Sequence, residues 1–139
     1  MNRKGFTLIE LIATIALLAI IALISFVSIS SVIKKNKTNS CNTLVDNIKG
    51  AANEYVSDHR YDEKFVDSDI TVDEDNRMTV SVDANTLIEG NYLSGNITDP
   101  FTNEKINGSR IDVDIALNDD YTVSYVTVKL DGEEFNCNN

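Results

Sequence analysis

The 139-residue sequence has one proline, one histidine, two cysteines and no tryptophan. A zinc site usually needs several cysteine or histidine ligands, and a disulfide scaffold needs several cysteine pairs, so neither class fits. No glycine-rich phosphate loop is present. The lone histidine, His59, lacks the oriented nucleophile or second base that catalysis requires. The sequence therefore predicts a protein that is not an enzyme, with no cofactor, no catalytic residue and no metal ligand.

Basic residues are few and unevenly distributed. The chain has 12 Lys and Arg against 22 Asp and Glu, a formal net charge of −10. Residues 1–35 carry four basic residues and one acidic residue, whereas residues 36–139 carry 8 basic and 21 acidic residues. Non-specific nucleic-acid binding depends on a basic surface. We therefore expect no direct non-specific nucleic-acid binding.

Charge is absent altogether from Leu11 to Ile33, a run of 23 residues. As a helix rising ~1.5 Å per residue, this run is ~34 Å long and can cross a ~30 Å hydrocarbon core. A cleavable secretory signal is one alternative, but its apolar region is usually only ~7–15 residues long. A generic membrane anchor is another. The run predicts a membrane-spanning helix.

Glu10 lies immediately before this run. An acidic side chain at the centre of a membrane helix costs ~2.5–3.5 kcal/mol on insertion scales, and such residues tend to have a cationic partner. A new N-terminal amine, created by cleavage a few residues earlier, is one candidate partner.

Residues 1–24 (MNRKGFTLIELIATIALLAIIALI) resemble the class III leader of type IV pilins and type II secretion pseudopilins. The similar features are a short basic leader, Gly5, Phe6 and Glu10. The resemblance implies that a prepilin peptidase cleaves after Gly5 and methylates the new N-terminus at Phe6. It also implies that Glu10 pairs with the N-terminal amine of a neighbouring subunit during assembly. Other pilin subunits, an assembly ATPase and a platform membrane protein are the implied partners.

The sequence departs from that family in one respect and is ambiguous in another. Many pilins have a proline in the apolar helix, but residues 20–33 contain none. Basic residues also flank both ends of the apolar run, so their distribution does not fix its orientation. The leader motif, in contrast, predicts a cytoplasmic N-terminus. The expected location is a single pass in the cytoplasmic membrane with the C-terminal domain outside, and an extracellular or periplasmic filament after assembly.

Apolar residues continue at helical spacing beyond the membrane run. They recur three and four residues apart at Cys41, Leu44, Val45, Ile48, Ala51, Ala52, Tyr55 and Val56. The polar stretch 34–40 is either a linker or the exposed middle of one long helix. Because neither Pro nor Gly interrupts residues 6–49, we predict one helix from about Phe6 to Asp58.

After His59 the apolar pattern changes to period two, which is typical of strands. We predict a hairpin from Ile70 to Val82 around a turn at 73–76, a short helix over 85–93 with Asp83 as N-cap, and a half-buried strand over 111–117. A strand over 121–130 contains a bulge, and Asp131-Gly132 forms a hairpin turn. Tyr55, Tyr121 and Tyr125 are predicted to face the core. The fold class is α+β: a long N-terminal helix packed on a small antiparallel sheet.

This layout also resembles the pilin family and suggests a domain division. Residues 1–5 are the leader, 6–33 the transmembrane or filament-core half of the helix, 34–58 its amphipathic half, and 59–139 an extracytoplasmic β-rich head. Glu89–Lys105 is similar to a segment of pseudopilin-like proteins. The calcium loop of some pseudopilins has no counterpart here, so no metal site is carried over.

The cysteine pair and the acidic groups each have two interpretations. Cys41 and Cys137 form either a disulfide, which an extracytoplasmic location permits, or two unpaired thiols. The acidic groups at 67–69, 73–75 and 119–120 could collect calcium, but solvated turn residues are the favoured interpretation.

The sequence as a whole predicts a prepilin-like structural subunit that is cleaved, N-methylated and assembled into a type IV pilus or pseudopilus. The alternative is a membrane-anchored extracytoplasmic binding domain that never polymerises. Processing distinguishes the two, because a plain anchor would retain Met1–Gly5.

Overall fold

A computed structural model describes residues 5–62, 65, 70–72 and 76–138. The basic leader residues 2–4 and the acidic groups at 67–69 and 73–75 lie outside this part of the chain. The chain divides into two compact units, Met1–Lys37 and Thr38–Asn139.

The first element is a 52-residue helix, α1, from Leu8 to His59. It confirms the single long helix that the sequence predicts. Gly50 lies within it, at a position where an added Cβ would meet no described atom within 4 Å beyond its chain neighbours and the nearby helix backbone. A glycine inside a helix costs only ~1 kcal/mol relative to alanine, which the surrounding packing offsets.

Five antiparallel strands follow in the second unit and pair in the order of the sequence. Their bounds are β1 Ile70–Val72, β2 Met78–Asp83, β3 Ile111–Leu117, β4 Val123–Leu130 and β5 Glu133–Glu134. A short helix, α2 (Ala84–Glu89), and a 3₁₀ turn, Gly108–Arg110, lie between β2 and β3. The predicted hairpins are confirmed, since Ile70 pairs with Val80 and Leu130 pairs with Glu133.

The core of the second unit forms between α1 and one face of this sheet. Helix α1 contributes Ile48, Ala52 and Val56, each at most 1% exposed, and β3 contributes fully buried residues at alternate positions. The β3 set consists of Ile111, Val113 and Ile115. Because side chains alternate across a strand, Asp112 and Asp114 lie on the opposite, polar face. The predicted α+β architecture is confirmed.

The predicted end of the second helix is wrong. Helix α2 stops at Glu89, not at Leu93, although Asp83 caps it as expected by accepting a hydrogen bond from the Thr86 backbone. Asn91 adopts a φ of 63°, which takes the chain out of the helical region. The backbone N–H groups of Tyr92 and Leu93 then donate back to the carbonyl of Leu87, as in a helix-terminating turn.

The predicted bulge in β4 is present, but its effect on Tyr125 was not foreseen. Leu117 pairs with Val123 while Ala116 pairs with Tyr125, so Ser124 is the extra residue. Tyr55 and Tyr121 pack against the core as predicted. Tyr125 does not, since it is 52% exposed. The extra residue shifts the alternation by one and turns Tyr125 away from the core.

Candidate processing and assembly site

The candidate site begins with an irregular segment, Gly5–Thr7, directly before helix α1. Phe6 is 80% exposed, and among the described residues other than its chain neighbours no atom lies within 4 Å of a Cβ built on Gly5. A peptidase must approach the backbone closely, and glycine offers no side chain to obstruct it. The Gly5–Phe6 bond is therefore sterically accessible.

Thr7 and Glu10 form a reciprocal cap at the start of α1. The Thr7 backbone N–H and hydroxyl both donate to Oε2 of Glu10, at 2.9 Å each. In return, the Glu10 backbone N–H donates to the Thr7 hydroxyl at 3.3 Å. This arrangement is a capping box, in which two backbone donors at the helix start find partners. Sequence reasoning missed it, although Thr-x-x-Glu before an apolar run is its recognisable signature.

The capping box involves one carboxylate oxygen of Glu10. Every hydrogen bond that the described chain makes to this carboxylate goes to Oε2. Oε1 remains available to a further donor. Glu10 can thus order its own helix start and accept a cation from elsewhere at the same time.

The apolar part of α1 is uncovered in the isolated chain. Fourteen large apolar side chains from Leu8 to Ile33 are exposed, each with 49–75% of its surface accessible. By its length and composition, α1 is long and apolar enough to cross a membrane. So much exposed apolar surface indicates burial in a membrane or against other helices.

Polar side chains in this part of α1 bond to the helix itself. The Thr14 hydroxyl donates to the Leu11 carbonyl, and the Ser25 hydroxyl to the Ile21 carbonyl, both at 2.8 Å. A hydroxyl without a partner is costly in an apolar surrounding. These internal bonds make both residues compatible with a lipid or helix-packed environment.

The two cysteines meet in the second unit. Cys41 on α1 and Cys137 after β5 form a disulfide with their Cα atoms 5.5 Å apart. Both residues are buried, Cys41 completely. The bond ties the C-terminal segment to the helix, and it corresponds to the disulfide alternative of the sequence analysis.

A second contact with α1, made by Tyr92, was not predicted from the sequence. The Tyr92 hydroxyl donates a 2.9 Å hydrogen bond to Asp58, and this bond raises the pKa of the tyrosine. The Tyr92 ring also makes edge contacts with Tyr55 and His59. His59 in turn bonds through Nδ1 to the Tyr55 carbonyl at 2.8 Å. His59 is thus a packing residue at the end of the helix.

The acidic turn that the structure describes serves the fold. Asp120 accepts hydrogen bonds from the backbone and the hydroxyl of Thr122, which lower its pKa. Across the described residues, no group of three or more potential ligands could hold a metal ion.

A comparison with known protein families finds a match in the leader and the first part of α1. Residues 1–26 match the prokaryotic N-terminal methylation motif. This methylation motif, which is the class III prepilin leader, includes Gly5, Phe6 and Glu10. No curated protein and no solved structure matches the chain.

The methylation motif is followed by a fold of the expected kind. A long N-terminal helix packs against a five-stranded antiparallel sheet, a pilin-like architecture. Motif and apolar helix together indicate a membrane-anchored chain with an extracytoplasmic domain. Gly5, Phe6 and Glu10 lie within one short stretch at the start of α1, whereas Cys41 and Cys137 belong to the second unit.

Proposed function

We propose that this chain is a prepilin-like structural subunit. A prepilin peptidase cleaves it after Gly5 and methylates Phe6, and the mature chain assembles into a type IV pilus or pseudopilus. The observation that supports this most strongly is the match of residues 1–26 to the methylation motif. The accessible Gly5–Phe6 bond and the exposed Phe6 are consistent with such processing.

In this proposal Glu10 pairs with the Phe6 amine of a neighbouring subunit. A buried carboxylate is costly unless a cation and hydrogen bonds compensate it. The two donors from Thr7 supply part of that compensation, and the amine would supply the rest at Oε1. A single buried polar pair can fix the register of packed helices, as buried asparagine does in coiled coils. Glu10 would therefore set the axial register of the filament.

The apolar half of α1 would serve first as membrane anchor and then as filament core. Transfer from lipid to like helices exchanges one apolar environment for another, so the hydrophobic effect alone opposes it little. The work of extraction would fall to an assembly ATPase acting through a platform membrane protein. The expected partners are thus those proteins, the prepilin peptidase and further pilin subunits.

The proposal is tested by co-expressing the full chain with a prepilin peptidase and measuring its N-terminus and intact mass. We expect a chain that begins at N-methylated Phe6 and is recovered in sheared filaments. A chain that retains Met1, or is cut well downstream of Phe6, would overturn the proposal and favour the non-polymerising anchored domain.

Two variants separate the charge of Glu10 from its capping role. Glu10→Gln keeps an acceptor for Thr7 but removes the negative charge, whereas Glu10→Ala removes both. We expect both variants to be processed and both to lose filaments. Normal filament yield from Glu10→Gln would contradict the proposed pairing with the amine and leave the cap as the role of this side chain.

A further inference from the structure

Strand β5 covers only a small part of the edge of β4 that faces away from β3. β4 has eight residues, whereas β5 has two, Glu133 and Glu134. These two pair with Leu130 and Lys129 in antiparallel register. Among the described strands, none lies beside the remainder of this edge, from residue 123 to residue 127.

One hydrogen bond continues the register of this hairpin beyond β5. The Phe135 N–H donates to the Val128 carbonyl at 2.9 Å. In an antiparallel ladder, every second residue turns its backbone N–H and carbonyl to the same side. Val126 therefore directs both groups to the side of Val128, and Cys137 is the residue that falls opposite Val126 in this register. The described residues show no backbone hydrogen bond between Val126 and Cys137.

The disulfide holds Cys137 at a different place. It fixes the Cα atom of Cys137 5.5 Å from that of Cys41 on α1. Helix α1 packs on the face of the sheet, whereas a strand that pairs with β4 lies in the plane of the sheet, about 4.8 Å from its neighbour. The bond to α1 therefore draws Cys137 out of the plane in which it could pair with Val126.

A groove separates β4 from the C-terminal segment, residues 135–138. Its volume is about 390 Å³, and its lining includes residues 126–128 of β4, Val45 of α1 and the C-terminal segment itself. Residues directly opposite each other in a ladder point to the same face of the sheet. Val126 packs against the core, and Cys137 points toward α1 on that same side. The C-terminal segment can thus close the groove by a shift, without turning over.

We propose that the Cys41–Cys137 disulfide is a redox-sensitive device that keeps the β4 edge open, and that its reduction lets the C-terminal segment pair with β4. A dithiol reductant supplies two electrons and two protons, so the S–S bond breaks, two thiols form and the reductant becomes a disulfide. The Cys137 N–H then donates to the Val126 carbonyl, and the Val126 N–H donates to the Cys137 carbonyl. This inference concerns the second unit alone and does not depend on filament assembly.

Amide hydrogen exchange of the full chain in detergent tests the proposal. The oxidised chain is compared with the double variant Cys41→Ser, Cys137→Ser, which lacks the bond. Because loss of a disulfide lowers stability, we expect faster exchange at core amides such as that of Val113. At Val126 we expect the opposite, an exchange at least about tenfold slower in the double variant, since its N–H gains an acceptor. Faster exchange at Val126, in step with Val113, would overturn the proposal.

A matched control separates strand pairing from mere release of the C-terminal segment. Cys41→Ser with Cys137→Pro also releases the segment, but proline has no N–H to donate to Val126. We expect no slowing of exchange at Val126 in this variant. Equal slowing in the serine and proline variants would show that strand pairing is not its cause.

An engineered cross-link provides a readout that does not depend on stability. Residues that form a hydrogen-bonded antiparallel pair have Cα atoms about 5.5 Å apart, within the range that a disulfide bridges. In a Cys41→Ser background, Val126→Cys should therefore form a disulfide with Cys137 at least about tenfold faster than Thr127→Cys, whose side chain points to the other face. Equal rates for the two variants would overturn the proposal, even if the double serine variant did not fold.

Discussion

The Tyr92 ring lies so close to Gly90 that a Cβ added to Gly90 would be 2.6 Å from its Cε2 atom. Gly90 has an ordinary φ of −75°, so close approach, and not a left-handed backbone, calls for glycine here. The same ring reaches α1 through the hydrogen bond to Asp58. The end of α2 and the last turns of α1 are thereby coupled through one side chain.

Gly90→Ala should destabilise the protein by about 1–3 kcal/mol, the usual cost of overpacking. The ring can move aside only by giving up its contacts with Asp58, Tyr55 and His59. Urea unfolding of the detergent-solubilised chain measures the effect. In a Tyr92→Ala background the same substitution should cost almost nothing, and equal costs in both backgrounds would disprove the coupling.

Removal of the disulfide should cost more. Cys41 and Cys137 are separated by 96 positions, and the chain-entropy model assigns about 4–5 kcal/mol to a loop of that length. We expect the double variant Cys41→Ser, Cys137→Ser to unfold at a much lower urea concentration. When reductant is present, the unaltered chain should unfold at nearly the same urea concentration as the double variant. Unchanged unfolding midpoints under both treatments would show that the bond contributes nothing to stability.

Acid should weaken the polar face of the sheet through Asp114. Partial burial raises the pKa of this carboxyl, but hydrogen bonds from Lys129 and Ser81 outweigh burial, and the folded-state pKa lies below the ordinary value of 3.8. The carboxylate therefore stabilises the fold above its unfolded-state pKa, and this contribution is lost as the pH falls through the lowered folded-state value.

Lys129→Met tests this dependence, because Lys129 lies 2.6 Å from the carboxylate of Asp114. The substitution should destabilise the protein only modestly at pH 7, since the pair is partly exposed. The cost should shrink as the pH falls below 3.8. Lys105→Met, at an exposed lysine, is the control and should show no such trend. A cost for Lys129→Met that is independent of pH would refute the assignment.

The capping box predicts a difference between two substitutions at Thr7. Thr7→Ala removes the hydroxyl that accepts from Glu10 and should weaken the first turn of α1 by about 1 kcal/mol, whereas Thr7→Ser retains the cap. Amide hydrogen exchange in detergent micelles measures the first turn directly. We expect faster exchange at the Glu10 amide in the alanine variant only. Equal exchange in both variants would count against the cap.

Periodicity predicted the elements of this fold well because it reports which side chains are buried. The stripe from Cys41 to Val56 and the alternation from Ile111 to Leu117 both follow from packing on one core. The leader motif was also recognisable in the sequence, and residues 1–26 match the N-terminal methylation motif. The roles of Gly5 and Phe6 in processing and of Glu10 in assembly stay predictions.

Two features that the sequence did not predict depend on contacts between distant parts of the chain. One is the register of strand pairing, and the other is a side-chain hydrogen bond. The orientation of Tyr125 depends on where β4 gains its extra residue, and that is decided by pairing with β3. The Tyr92–Asp58 bond joins positions 34 residues apart. The capping box is different, because its local signature could have been found in the sequence.

The disulfide also determines how the second unit would carry mechanical load. A pull on the C-terminus passes at Cys137 through covalent bonds to Cys41 on α1, so the hydrogen bonds between the strands bear none of that force. The chain between the two cysteines, a sequence separation of 96, could extend by roughly 300 Å as free chain but is excluded from stretching under such a pull. A chain pulled between α1 and its C-terminal end would therefore not lengthen by separation of the strands in its second unit.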